Sequence, residues 1–312
     1  MKFEKICILG LGYIGLPTAS MFATHGVKVL GVDVNPSIIE TLNSGRLHIH
    51  EPGLAEAVAS AIGSGNLSVS TTPEPADAFI IAVPTPFFEH DLGEYEGQTY
   101  KKADMRAVIS ATRAILPYLQ KGNLVILEST SPPRTTIDLL KPILEESGLK
   151  AGVDFYVAYS PERVLPGHIL RELVENARVI GGLTPESAQA GAELYSAFVR
   201  GEIHQTNATT AEMVKLMENT YRDVNIAIAN EFSTGAYRFG PARRRRHLRA
   251  HTGYPPGRTH GPTLHHRQHP GLLGRTGDAD GGQGARRRPH APHAFAGLPD
   301  HQERAAHDAH RP

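Results

Sequence analysis

KICILGLGYIG, residues 5 to 15, joins a short apolar run to three glycines spaced as Gly-x-Gly-x-x-Gly. The run predicts a buried strand, Leu16 to His25 predict a helix, and a second strand is expected from Val27 to Val32, ending in Asp33. In that order the residues have a specific physical reading. Gly10 permits a tight turn, Gly12 lets the backbone approach a pyrophosphate, and Gly15 lets the helix pack closely on the strand. The helix N-terminus adds oriented N–H groups that favour an anion. Asp33 can accept both ribose hydroxyls and would repel a 2′-phosphate, so NAD is expected over NADP. A structural turn in a flavodoxin-like domain could carry the same glycines; Asp33 argues against it.

Further strands are expected at Ala78–Val83, Asn123–Glu128, Phe155–Tyr159 and Arg178–Ile180, with helices between them. Near-continuous apolar runs of this kind suit parallel strands buried on both faces, which predicts an α/β fold: a doubly wound, Rossmann-like parallel sheet. Ligands of such sheets lie beyond the carboxyl ends of the strands. Pro84-Thr85-Pro86, Ser129-Thr130-Ser131 and Ser160-Pro161-Glu162-Arg163 therefore border one expected crevice. Each could be an ordinary strand-to-helix turn, but three polar turns on one rim favour a site.

The composition has a break in it. Lys and Arg number 18 against 27 Asp and Glu in residues 1–233, but 14 against 5 in residues 234–312, so the zero net charge is an acidic body cancelling a basic tail. A single cysteine, Cys7, excludes an intramolecular disulfide framework and any multi-cysteine zinc site, and no metal is expected. No apolar run approaches membrane-spanning length, and the apolar N-terminal run is too short for a signal peptide; a cytoplasmic protein is expected.

Taken together, GLGYIGLP, VPTPF, ILESTSPP, SPERVLPG, RVIGG and AEMVKLMENTYRDVNIAIANE resemble the UDP-glucose/GDP-mannose dehydrogenase family over residues 1 to about 233. Pro161–Gly167 and Lys215–Glu231 look most like the branch acting on UDP-N-acetyl-D-mannosamine. The resemblance implies oxidation of a UDP-sugar primary alcohol at C6 to a carboxylate, with two NAD molecules used in turn; UDP-glucose or UDP-GlcNAc are alternative substrates. It assigns Tyr13, Ile14, Asp33, Thr85 and Thr130 to NAD, beside Gly10, Gly12 and Gly15. It assigns Arg163, Val164, Lys215, Asn219 and Arg222 to the sugar nucleotide, and Glu162 to the hydrolytic step. It also implies a homodimer. Ser131-Pro132-Pro133-Arg134 departs from the Ser-Pro-Val-Gly that relatives usually carry, which puts the local backbone near the cofactor in question.

The residues carry part of this on their own. Lys215, Asn219 and Arg222 share one face of a helix expected from about Ala208 to Phe232, while Val214, Met217 and Ile228 can pack elsewhere on it. A Lys and an Asn converging on a dry pocket can stabilise an alkoxide or a tetrahedral oxyanion. Without the resemblance, a solvated helix face is the plainer reading. Glu162 beside Arg163 could be a structural ion pair at a turn; its position on the rim favours general-base work.

Residues 234–312 follow other rules. They contain no Ile, Val, Met, Lys, Ser, Asn or Cys, yet hold 11 of the 17 histidines. Such a segment cannot bury enough apolar surface to offset the ordering of its backbone, so disorder is expected. The residues of GC-rich codons begin abruptly where the resemblance stops, which points to a shifted reading frame. A nucleic-acid arm at Arg243–Arg246 and Arg286–Arg288, or adventitious metal binding at His265, His266 and His269, are weaker readings.

The expected organisation is an NAD-binding domain over residues 1–203, a long central helix region over 204–240 and a low-complexity basic tail over 241–312. The family chemistry needs a thiolate, carried downstream on a Gly-Gly-His-Cys segment, to trap the C6 aldehyde. Cys7, in the first strand, is expected to be inert wall material, so the chain is expected to be defective in the full four-electron reaction. The rival reading is a non-catalytic dinucleotide-binding protein that oligomerises through the long helix.

Overall fold

A computed structural model describes residues 3–239. Ten strands and eight α-helices follow one another along that stretch, with a 3-10 turn at Leu116–Tyr118 and a π-helical turn at Thr136–Leu140. The strands are β1 (Lys5–Leu9), β2 (Lys28–Val32), β3 (Leu67–Ser70), β4 (Ala78–Ile81), β5 (Phe87–Tyr95), β6 (Gln98–Ala103), β7 (Leu124–Leu127), β8 (Tyr156–Tyr159), β9 (Arg178–Gly182) and β10 (Ile203–Asn207). The helices are α1 (Gly15–Thr24), α2 (Pro36–Asn43), α3 (Leu54–Gly63), α4 (Arg106–Ile115), α5 (Lys141–Glu145), α6 (Ile169–Glu175), α7 (Pro185–Tyr195) and α8 (Ala208–Phe239).

Eight strands form one sheet in the order β10-β9-β8-β7-β4-β1-β2-β3. Its parallel part, β3-β2-β1-β4-β7-β8, winds one way from β1 through β2 to β3 and the other way from β4 to β8. The reversal falls between β1 and β4, which is where a doubly wound sheet opens a crevice. Side chains alternate across both buried faces. Ile6, Ile8, Ile80, Leu124 and Ile126 join α1, α3, α6 and α7 on one side. Cys7, Leu9, Phe79, Ile81, Val125 and Leu127 join α4, α5 and the start of α8 on the other.

The sheet is not parallel throughout. The parallel strand expected at Arg178 is corrected: β9 runs antiparallel to β8, with Tyr159 opposite Gly181, and β10 runs parallel to β9. An apolar run such as RVIGG signals burial on both faces and carries no direction. Direction is set by the connection. The connection through residues 160–168 and α6 leaves β9 starting at the carboxyl edge, antiparallel to β8.

Asn207 then caps α8, its Oδ1 accepting from Thr210 N at 2.8 Å. Because β10 ends at the amino edge, α8 climbs across the sheet toward the carboxyl edge. Of the three apolar residues expected to pack from this helix, Val214 does so, whereas Met217 and Ile228 are exposed. Among the described residues no helix is long and apolar enough to cross a membrane.

Candidate functional site

The glycine turn is shaped by contact with backbone. Gly10 has φ +96°, and a Cβ there would lie 2.6 Å from the Ala82 carbonyl oxygen. A Cβ at Gly15 would lie 1.8 Å from the Gly10 carbonyl oxygen, while a Cβ at Gly12 would meet nothing within 4 Å. The first and third glycines are thus demanded by the fold, and the open space over Gly12 is what a dinucleotide pyrophosphate would need.

Asp33, at the carboxyl end of β2, accepts from Leu11 N and Asn35 N, each at 3.0 Å. A carboxylate offers about four acceptor positions, so capacity remains for a ribose. His48, which sequence reasoning did not single out, places Nε2 2.8 Å from the Leu11 carbonyl oxygen. Tyr13 is exposed and Ile14 half-buried beside the turn. Across the crevice Thr85 Oγ1 donates to the Thr130 carbonyl at 2.6 Å, and Ser129 Oγ donates to the Val83 carbonyl at 2.7 Å, so the turns after β4 and β7 are joined. These residues fit the cofactor expected of them.

The second half of the rim belongs to the segment after β8 and to α8. Lys215 Nζ donates to the Glu162 carbonyl oxygen. Burial lowers the Lys215 pKa; Arg222 and Arg163 press the same way, against Glu162 and Glu218. The Glu162 carboxylate points elsewhere: Oε2 accepts from Arg178 at 2.5 Å and Oε1 from Arg163 N at 2.8 Å. The Arg163 guanidinium pairs with Glu218 at 2.6 Å and donates to the Ala177 carbonyl. Val164 is buried in the core, so its side chain is taken up by packing. Asn219 and Arg222 are half-buried, and neither side chain is held by a hydrogen bond among the described residues.

The residues that hold this half together were not singled out in the sequence. Arg178 lies buried between Glu128 and Glu162 and stacks on Tyr195. Glu51 accepts from Gly167 N and Ile169 N, both at 2.9 Å. Glu212, buried at the start of α8, accepts from Arg134 N at 2.5 Å, Thr136 N at 2.8 Å and Thr136 Oγ1 at 2.7 Å. Arg134, flagged by its departure from the Ser-Pro-Val-Gly pattern, sits at φ +74°, the left-handed region that suits glycine. Glu212 therefore holds a strained turn in place. Among the described residues no group of three or more His, Cys, Asp and Glu could hold a metal ion.

A doubly wound sheet with an open glycine turn at its switch point and an acid at the end of β2 defines a dinucleotide-binding domain of the dehydrogenase type. Residues 4–199 match the UDP-glucose/GDP-mannose dehydrogenase family, NAD binding domain, and residues 209–241 match the central domain of the same family. The chain belongs to that family. It is 55% identical over 230 residues to the UDP-N-acetyl-D-mannosamine dehydrogenase of Methanococcus maripaludis, covering 74% of this chain and 51% of the relative. It is 50% identical to the NDP-N-acetyl-D-galactosaminuronic acid dehydrogenase of Ralstonia nicotianae, covering 75% and 54%. The structure of the UDP-N-acetyl-mannosamine dehydrogenase Cap5O from Staphylococcus aureus superposes with a TM-score of 0.68 at 52% identity, over 74% of this chain and 54% of that one. The chain thus spans about half the length of the curated relatives it matches.

Proposed function

We propose that these residues form the cofactor half and the substrate-facing helix of an NAD-dependent UDP-sugar 6-dehydrogenase of the UDP-N-acetyl-D-mannosamine type. The observation that carries the reading is the arrival of Lys215, on α8, at the same carboxyl rim where the glycine turn stays open. Gly10, Gly12, Tyr13, Ile14, Gly15, Asp33, Thr85 and Thr130 would hold NAD, which supplies the hydride acceptor. Lys215 and Asn219 would donate to the C6 oxygen as it gains negative charge, from half-buried positions where burial already lowers the Lys215 pKa. Arg163, Val164 and Arg222 would bind the sugar nucleotide, Val164 through its backbone. For Arg163 this means exchanging Glu218 for the substrate anion, and for Glu162 acting as a base it means leaving Arg178.

A second reading is favoured by one specific feature. The only thiol in these 312 residues, Cys7, is fully buried in β1, and burial pushes its pKa up to about 12. It cannot serve as the nucleophile. These residues alone would then stop at the aldehyde, or would bind the dinucleotide without turnover. Met213, Met217, Tyr221, Val224, Ile228 and Phe232 form an exposed stripe along α8, spaced three and four apart, which supports a homodimer through that helix. The reading goes with a cytoplasmic location. Residues 240–312, with the shifted-frame reading and the basic and histidine-rich runs, lie outside the described residues.

Titration with NAD and incubation with UDP-N-acetyl-D-mannosamine test both readings. Binding of NAD, lost in Asp33→Arg, with trace NADH and no uronate is the expected result. Sustained release of two NADH per sugar would overturn the claim of incompetence, and no NAD binding would overturn the proposal.

A further inference from the structure

Beneath the rim lies a set of buried charges that the proposed chemistry leaves without a task. Arg178 donates to Glu128 Oε1 at 3.2 Å, to Ser160 Oγ at 2.8 Å and to Glu162 Oε2 at 2.5 Å. Its guanidinium carbon stands 4.1 Å from the centroid of the Tyr195 ring, and the Tyr195 hydroxyl donates to Glu128 Oε1 at 2.8 Å. The side chains of Arg178, Glu128 and Glu162 are 4%, 0% and 7% exposed. Burying such a set is expensive, and an apolar set of the same volume is often as stable or more so. Stability is therefore a poor reason for its presence, and geometry is the better one.

The geometry concerns one segment. Residues 160–168 contain no helix or strand, yet they carry Glu162 and Arg163. Arg178 grips the Ser160 and Glu162 side chains from the β9 side, and Glu51 grips Gly167 N and Ile169 N from the other end. With its side chain drawn down to Arg178, Glu162 turns its carbonyl to Lys215 Nζ.

We propose that Arg178 is a positioning residue: by holding Ser160 and Glu162 it fixes the Glu162 carbonyl against Lys215, and so sets where that ammonium points and keeps it from bulk water. Glu128 and Tyr195 are the standing partners that keep Arg178 in place when Glu162 lets go. The inference rests on Lys215 being the substrate-facing cation, and it concerns a residue that touches neither substrate nor cofactor. The groups acting on Lys215 are Glu162 on the facing segment, Arg222 and Glu218 on its own helix, and Arg163. Arg178 acts through the segment, by controlling how well the amine is shielded.

The test needs no cofactor and no sugar, so it is separable from the NAD titration that tests the proposed function. The pH midpoint of Lys215 labelling by an amine-reactive reagent, with Lys215→Met to identify the site, is measured together with backbone hydrogen exchange by mass spectrometry. Arg178→Lys keeps the charge and loses the fork. Should it not fold, Arg178→Met combined with Glu128→Gln removes the cation without stranding Glu128. The expected result is exchange over residues 160–169 faster by about tenfold or more, and a Lys215 midpoint moved up toward that of exposed lysines, with β1 and α1 as protected as before. An unchanged midpoint in a folded variant, or a loss of protection spread evenly through the sheet in both variants, would overturn the proposal.

Discussion

Around Gly10–Gly15 the rim of the sheet is made of backbone, with two glycines pressed against carbonyl oxygens and an acid tied to main-chain N–H groups; between Glu128 and Arg178 the same rim is made of buried charge. The first half tolerates no added atom where backbones touch. The second half is held by buried charge, and burial raises the pKa of its Glu128 carboxyl. Hard-sphere contact organises one half and electrostatics the other, so the two should fail in different ways.

The largest effect is expected on the backbone side. Gly15→Ala would push a methyl group to 1.8 Å from the Gly10 carbonyl oxygen, and no flexible side chain can absorb it. A loss of about 3 kcal/mol or more in urea unfolding is expected, with NAD binding gone. Gly12→Ala is the control: its Cβ meets nothing within 4 Å, so stability should change by less than about 0.5 kcal/mol while NAD affinity falls about tenfold. Equal losses of stability in the two variants would break the distinction between a glycine the fold needs and one the ligand needs.

On the charged side the probe is pH. Burial pushes Glu128 up to about 7 from the ordinary 4.5, against the pull of Arg178. Between those two values the folded chain keeps a proton that the unfolded chain releases, so this group's contribution to stability is lost as pH rises through that window. Glu128→Gln should flatten the dependence, because the amide has no proton to lose across that window. Urea midpoints over the range from about pH 4.5 to 8 measure this. A parent protein whose midpoint does not fall across that range would show that Glu128 ionises without penalty.

The smallest effect is expected where the two halves meet. Arg134 at φ +74° costs on the order of 1 kcal/mol, offset in part by its exposed pair with Asp138 at 2.7 Å. Arg134→Gly should stabilise by less than about 1 kcal/mol and leave NAD binding intact. Destabilisation instead would mean that the Asp138 pair outweighs the relief of strain.

Legibility in the sequence followed the same divide. β1, β2, β4, β7 and β8 lie within two residues of where apolar runs predict them, because a strand buried on both faces must be apolar throughout. Of the edge strands, LSVS is half polar and IHQTN is polar at four of five positions, so neither gave such a signal. Nor did the hairpin of β5 and β6, although Glu96 and Gly97, both at positive φ, make a turn of the kind that closes hairpins. Glu128 and Arg178 each stand at one end of an apolar run, a visible oddity, but nothing in the order of residues says that these two ends meet.

Sequence alone determined the dinucleotide turn, the acid that follows it, the family and the face of α8 that carries Lys215, because each depends on spacing within one element or across one turn. Tertiary structure alone decided that Lys215 reaches the rim at all. The chain turns antiparallel after β8, β10 therefore ends at the amino edge, and α8 has to cross the sheet to come back. The direction of β9, and the meeting of Arg178 with Glu128 and Glu162, are contacts between segments far apart in the chain, which spacing within one element does not specify.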